Sequence, residues 1–177
     1  MFLNVSAGSL QNPDYLELLS AALTGPLADF EVVLELTEQL LLESSELVLE
    51  LHRQHGLVFA IDDFGTGFSS LQTVIELALE GGVRYLKLDG SLIRNAAEHP
   101  ASERIMRISQ QMAGELQLET VAEMIETLQE RDLVRDIGID LGQGYLIGVP
   151  DPVGVWRGKL AYLEAVHGRD PTIGFAY

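Results

Sequence analysis

A chain of 177 residues, 47% of them hydrophobic, suits one domain with a sizeable core and excludes a disordered segment. Its 27 acidic residues against 11 Lys and Arg, a net charge of -16, argue against a binder of nucleic-acid polymers and against docking on anionic lipid. The absence of cysteine removes disulfides, thiolate catalysis and cysteine zinc sites and fits a reducing, cytoplasmic compartment, while no signal peptide or long apolar run calls for direct membrane insertion.

Phe2 to Val5 reads as a strand without lead-in, with Asn4 near its carboxyl end. Asn12-Pro13 supplies an N-cap followed by proline at the first helical position, and the leucine pattern predicts a helix that runs to Gly25-Pro26. Val32 to Leu36 is a second strand, interrupted by Glu35 and followed by Thr37-Glu38; a charge inside an apolar strand is informative. One leucine-rich helix is expected from about Gln39 to His55, with Glu43, Glu46 and Glu50 on its solvated side and Gly56 as its stop.

Leu57 to Ile61 is a buried strand ending in Asp62-Asp63, and the loop after it contains Gly65, Thr66 and Gly67. Taken alone, the two carboxylates suit either a cap for the helix starting near Ser69 or a divalent cation. That helix is expected to run to Leu79 and stop at Gly81-Gly82, and Val83 to Leu88 follows as a fourth strand carrying Lys87, with Asp89 just beyond. The chain holds only two lysines, so one placed on an apolar strand implies pairing with negative charge. Ala101 to Leu116 reads as a helix, Leu118 to Ala122 as a strand ending at Glu123, Glu126 to Asp136 as a helix, and Ile139 to Leu141 as a sixth strand before Gly142-Gln143-Gly144-Tyr145. A last helix carrying Trp156 is expected from about Val153 to Val166.

Six alternations of strand and helix call for a parallel sheet covered by helices, either doubly wound or rolled as a barrel. Asn4, Glu35, Asp62, Asp63, Lys87, Asp89, Glu123 and Gln143 fall at or just past the ends of successive strands, where an α/β barrel places its catalytic groups. Carboxylates with an amide oxygen, and no histidine or cysteine, select Mg2+ or Mn2+ over zinc, and two carboxylate clusters suggest a two-metal site for phosphodiester hydrolysis. His52, His55, His99 and His167 are taken as surface residues.

The segments Leu34-Glu35-Leu36-Thr37-Glu38, Asp62-Asp63-Phe64-Gly65-Thr66-Gly67, Leu86-Lys87-Leu88-Asp89, Ala122-Glu123-Met124-Ile125-Glu126 and Gln143-Gly144-Tyr145 together resemble the EAL domain family in order and approximate spacing. The resemblance implies a single domain over residues 1–177: a TIM-like barrel, with about six βα units present, that hydrolyses the bacterial second messenger cyclic di-GMP to pGpG with Mg2+ or Mn2+. It implies that Asn4, Glu35 and Asp62 hold one metal, that Asp63 holds the second, and that Lys87 stands at the nucleophilic water with Asp89 as its neighbour. Glu123 matches a general base or metal ligand, Glu38 the glutamate that steadies the glycine loop, and Glu126 and Gln143 further pocket positions. The family's loop after Asp63 also contributes to a dimer interface, so Phe64 to Ser70 is expected to serve both site and homodimer. Further signalling domains are expected in the intact protein, and a membrane tether is compatible with it.

The departures also carry expectations. The name-giving Glu-Ala-Leu strand of the family precedes the position of Asn4, so its metal-binding glutamate, a phosphate-gripping arginine and two of eight strands have no counterpart in these 177 residues. On that ground the chain alone is expected to be a poor or inactive phosphodiesterase that self-associates through its open sheet edges or the Phe64–Ser70 loop. Met124-Ile125 replaces the usual Gly-Val between the two glutamates, a crowding change beside the pocket, and the segment between Ser70 and Lys87 is a few residues longer than is typical. The competing readings are a nonhydrolytic cyclic di-GMP receptor or dimerisation module, and an unrelated doubly wound phosphatase-like fold.

Overall fold

The computed structural model describes residues 1–65, 71–96, 98–152 and 154–155. Among the described residues six parallel strands form one sheet in sequence order: β1 (Phe2–Asn4), β2 (Val33–Thr37), β3 (Val58–Phe64), β4 (Val83–Leu88), β5 (Glu119–Ala122) and β6 (Leu141–Gly142). The helices between them are α1 (Ala7–Leu10), α2 (Pro13–Thr24), α3 (Glu38–Glu43), α4 (Ser45–His55), α5 (Leu71–Leu79), α6 (Gly90–Ala96), α7 (Pro100–Glu115) and α8 (Leu128–Ile137). Strictly consecutive parallel neighbours joined by helical crossovers roll a sheet toward a barrel, and this one is an incomplete TIM-like barrel with β1 and β6 at its edges.

Alternation along the strands separates two apolar zones. Leu34, Leu36, Phe59, Ile61, Leu86 and Leu88 point to the helical side and pack with Leu41, Val48, Leu51, Val74, Leu77, Ile93 and Met106 in the main core. The other face carries a smaller cluster of Val33, Ala60, Tyr85 and Val121, flanked by Phe2, Val58 and Leu141. Two residues further along those same four strands stand Glu35, Asp62, Lys87 and Glu123. The period of two therefore stacks a polar layer on an apolar one, with the polar layer at the carboxyl ends.

Local chemistry explains most element boundaries. Asn12 Oδ1 accepts from the Asp14 N–H at 2.9 Å, with Pro13 opening α2 as expected. Thr127 and Glu130 close a capping box at α8, which starts at Leu128 rather than at Glu126. The single helix expected over 39–55 is two, α3 and α4, parted at Ser44, whose φ of -130° is not helical. The sixth strand lies at Leu141–Gly142 rather than from Ile139, because the Ile139 N–H donates to the Val134 carbonyl at 3.2 Å and belongs to the end of α8. His52 is half-buried rather than on the surface: its Nδ1 donates to the Leu57 carbonyl at 2.9 Å and ties the end of α4 to the start of β3. Short helices α1 and α6 were not expected. Of the helix expected over 153–166 only residues 154–155 are described, and they are helical; Trp156 and the rest of that segment, like Thr66 to Ser70, lie outside the described residues. No helix among the described residues is long and apolar enough to cross a membrane.

Candidate active site at the carboxyl ends of the strands

Lys87 is the centre of the polar layer. Its side chain is 2% exposed, and its Nζ lies 2.5 Å from Glu35 Oε1, 2.7 Å from Asp62 Oδ1 and 2.6 Å from Glu123 Oε1. Strands β2, β3 and β5 thus each bring one carboxylate to the single ammonium group carried by β4, Glu123 standing just past the end of β5. Burial pushes the ammonium toward the neutral form, but hydrogen bonds to Asp62, Glu123 and Glu35 outweigh it and hold Lys87 well above the usual lysine range. Phe2 lies beneath, its ring centroid 6.0 Å from Lys87 Nζ and 5.1 Å from the Tyr85 ring in an edge-on pair.

Asp62 and Asp63 are adjacent on β3, and a regular strand would point them to opposite faces. The register against β4 passes from Ile61↔Leu86 to Phe64↔Leu88, three steps on one strand against two on the other. The extra residue is taken up at Asp63, whose φ is 56°, in the left-handed region. The irregularity turns both carboxylates to one side, and oxygens of Asp62, Asp63 and Glu123 come within 4.8 Å of one another. Burial raises the Asp63 carboxyl above its ordinary range, helped by the charges of Asp62 and Asp89 and opposed by Lys87. Glu123 is likewise raised, first by burial, against its hydrogen bond to Lys87.

The remaining residues divide by distance from this centre. Gln143 Nε2 donates to Glu123 Oε1 at 2.7 Å, so the amide orients the carboxylate that also meets Lys87. The Gly142-Gln143-Gly144 turn can approach that closely only without a side chain at 144, where a Cβ would lie 2.2 Å from the Ile125 nitrogen. Asn4 stands in register with Glu35 at the exposed end of β1. Asp89 Oδ1 accepts from the Ser91 N–H at 2.9 Å, so it caps α6 while its charge acts on Asp63. Glu38 is 5% exposed at the start of α3, immediately after β2. Glu126 is exposed, and its backbone N–H is held by Glu130 Oε2 at 2.9 Å. Gly65 opens the loop after β3 with φ 97°, whereas Thr66 and Gly67 lie outside the described residues. Sequence reasoning missed the contribution of Phe2 as a floor beneath Lys87; an aromatic residue two positions before Asn4, on the same face of β1, was the available signal.

An all-oxygen donor set of three carboxylates fits a hard divalent cation such as Mg2+ or Mn2+, not a thiophilic metal. What such a constellation can do chemically is hold cations and a cationic side chain where charge develops on a phosphate oxygen.

Comparison with known proteins bears on the family and the fold. A cyclic di-GMP phosphodiesterase of Shewanella oneidensis, PdeB, is 35% identical over 125 residues, covering 69% of this chain and 14% of that protein. The chain therefore spans about a seventh of the length of that curated relative. Among solved structures, the EAL domain of Mycobacterium smegmatis DcpA superposes with a TM-score of 0.74 at 28% identity, covering 91% of this chain and 72% of that one. Klebsiella pneumoniae BlrP1, solved as a manganese and cyclic di-GMP complex, gives a TM-score of 0.70 at 30% identity over 84% of this chain and 38% of that one. The EAL domain family model matches residues 1–150, and with the acidic strand ends and the parallel, partly rolled sheet this chain belongs to the EAL domain family.

Proposed function

We propose that this domain hydrolyses cyclic di-GMP to linear pGpG, as a cytoplasmic module of a longer signalling protein. The observation that carries the reading is the Lys87 ammonium set among Glu35, Asp62 and Glu123, with Asp63 beside them, on the ends of strands whose fold is that of EAL domains. Asn4, Glu35 and Asp62 would hold one cation, and Asp63 with Glu123 a second. Bound Mg2+ or Mn2+ would lower the pKa of a water and offset charge on the phosphate.

The chain's own groups do the rest. Lys87, held in a fixed place by three carboxylates, orients the attacking water and compensates negative charge at phosphorus. Glu123, its carboxylate directed by the Gln143 hydrogen bond, takes the water's proton. Water adds to one phosphate, the bond to the ribose 3′ oxygen breaks, and that oxygen takes a proton from solvent to leave as a hydroxyl, while Glu123 returns its own proton to solvent. The ring opens to a dinucleotide with a 5′ phosphate. Glu38 steadies the glycine loop of Gly65, Thr66 and Gly67, while Asp89 and Glu126 border the pocket. A homodimer through that loop completes the proposal.

The test is incubation of the intact protein that carries this domain with cyclic di-GMP and Mn2+, with products separated chromatographically, alongside its Asp62→Ala and Lys87→Met variants, each first shown to be folded by circular dichroism. Production of pGpG that is lost in both variants supports the reading. Tight nucleotide binding without pGpG would replace it with that of a receptor domain.

A further inference from the structure

Beside the carboxylate centre, two chain segments meet with no space between them. Gly90 opens α6 one residue after Asp89, and Met124 follows Glu123 at the end of β5. A Cβ placed on Gly90 would lie 2.6 Å from Met124 Cβ and 2.9 Å from both its Cγ and its Sδ. The first distance is decisive. Rotamer changes move Cγ and Sδ, but Cβ is fixed by the backbone and can retreat only if the backbone does.

That backbone is tied on both sides. The Glu123 N–H donates to the Leu88 carbonyl at 3.2 Å, the Ile125 N–H to the Gln143 carbonyl at 3.0 Å, and the Leu146 N–H to the Ile125 carbonyl at 3.0 Å. Between them Met124 has φ 53°, a conformation that side-chain-bearing residues avoid. Its sulfur accepts from Arg94 Nη1 at 3.3 Å, so the methionine lies across the face of α6.

We propose that Gly90 and Met124 are a fitted pair whose contact positions Glu123 against Lys87. The inference rests on reading Glu123 as part of the metal-binding centre. Gly90 is three residues from Lys87 along the chain leaving β4, and Met124 is bonded directly to Glu123. The 90–124 contact thus spaces the ends of β4 and β5, across which Lys87 Nζ and Glu123 Oε1 stand 2.6 Å apart. A larger residue at 90 displaces residues 123 to 125 away from β4 and takes the Glu123 carboxylate with them. Met124 is a positioning residue, and Gly90 is the residue it requires.

The test is a set of variants in the full chain, read by calorimetric titration with Mn2+ and by thermal melting. Alanine is a better helix former than glycine, so propensity alone makes Gly90→Ala neutral or stabilising. The fitted pair makes it lower Mn2+ affinity by about tenfold, as is usual when a group supporting a metal ligand is disturbed. Adding Met124→Gly, which removes the opposing Cβ, restores affinity to that of Met124→Gly alone. Adding Met124→Ala, which keeps the Cβ, does not restore it. Wild-type affinity in Gly90→Ala, or equal rescue by both second substitutions, overturns the proposal. So does a lowered melting temperature with unchanged Mn2+ affinity, which would make the contact structural only. If Gly90→Ala fails to fold, recovery of folded, Mn2+-binding protein with Met124→Gly but not with Met124→Ala is the expected result, and recovery with neither overturns it. Asp62→Ala, titrated in parallel, tests the metal centre itself while leaving the 90–124 contact intact.

Discussion

Replacing Lys87 by methionine keeps an unbranched stem of similar volume and removes only the buried charge. At 2.5 to 2.7 Å from three carboxylate oxygens, and with an effective dielectric near 20, each pair attracts by roughly 6 kcal/mol before desolvation is counted. Most of that is cancelled by the cost of taking the ions out of water, and removing one partner of a buried pair typically costs about 3–5 kcal/mol net. Three carboxylates are left facing one another in this case, so the upper end, about 5 kcal/mol at neutral pH without metal, is expected. Against a total of about 5–15 kcal/mol for an ordinary domain, the variant stands close to unfolding. With a urea slope of about 2 kcal/mol per molar, the midpoint falls by roughly 2.5 M. The assay is urea denaturation followed by circular dichroism, first in chelator and then with Mn2+. A cation bound only by the folded state restores about 2.7 kcal/mol at a hundred times its Kd, and Mn2+ should raise the midpoint of Lys87→Met more than that of the wild type, because it replaces a missing positive charge. An unchanged midpoint in chelator would refute the claim that the ammonium is the counter-charge of the site.

Tyr85 gives a pH prediction away from the carboxylates. Burial, then the charges of Glu119 and Glu31, push its phenol up to about 12 against the opposing effect of Arg84. An unfolded tyrosine ionises near pH ~10, so from there to about 12 only the unfolded chain releases the proton and stability falls by about 1.4 kcal/mol per pH unit. Tyr85→Phe should flatten that alkaline loss and remove a late component from the tyrosinate absorbance; identical alkaline curves for the two proteins would contradict the assignment. At α8, Thr127 Oγ1 accepts from the Glu130 N–H at 3.2 Å and Glu130 Oε2 accepts from the Thr127 N–H at 2.9 Å. Thr127→Ala is expected to cost about 1 kcal/mol in chemical denaturation while Thr127→Ser costs little, and equal stability of the alanine variant would show that the box contributes nothing. For the centre itself, the calorimetric heat of Mn2+ binding should disappear in Asp62→Ala, and equal heats would remove Asp62 from the ligand set.

Much of the architecture was legible because it is written in local patterns. The fourth strand, Val83–Leu88, carries an apolar run between Gly81-Gly82 and Asp89, and its limits were read without error. Asn12-Pro13 opened α2 by supplying an acceptor and a preset φ within two residues. Burial of Lys87 among carboxylates followed from the cost of an unpaired charge on a core strand, and the structure gives it three partners. Short elements failed the same method: α1 and α6 have 4 and 7 residues, too few for a helical period to declare itself. The break at Ser44 was hidden because Leu41, Ser44, Val48 and Leu51, all buried, keep a helical spacing across it.

Sequence by itself determined the alternation of strand and helix, the acidic strand ends and the layer in which Glu35, Asp62, Lys87 and Glu123 stand, since each depends on spacing along one segment. Asp63 was expected in the site from its position and the family resemblance, but only the tertiary structure decided how it reaches the same side as Asp62. Two adjacent residues on a regular strand face opposite ways, and what turns Asp63 to the same side is the slip of β3 against β4 together with its left-handed backbone at φ 56°. His52 and Met124 follow the same logic. One is half-buried because the Leu57 carbonyl reaches it, and the other is confined because Gly90 faces it. Contacts between segments far apart in the chain are set by how strands slide and pack, and no single segment carries that information.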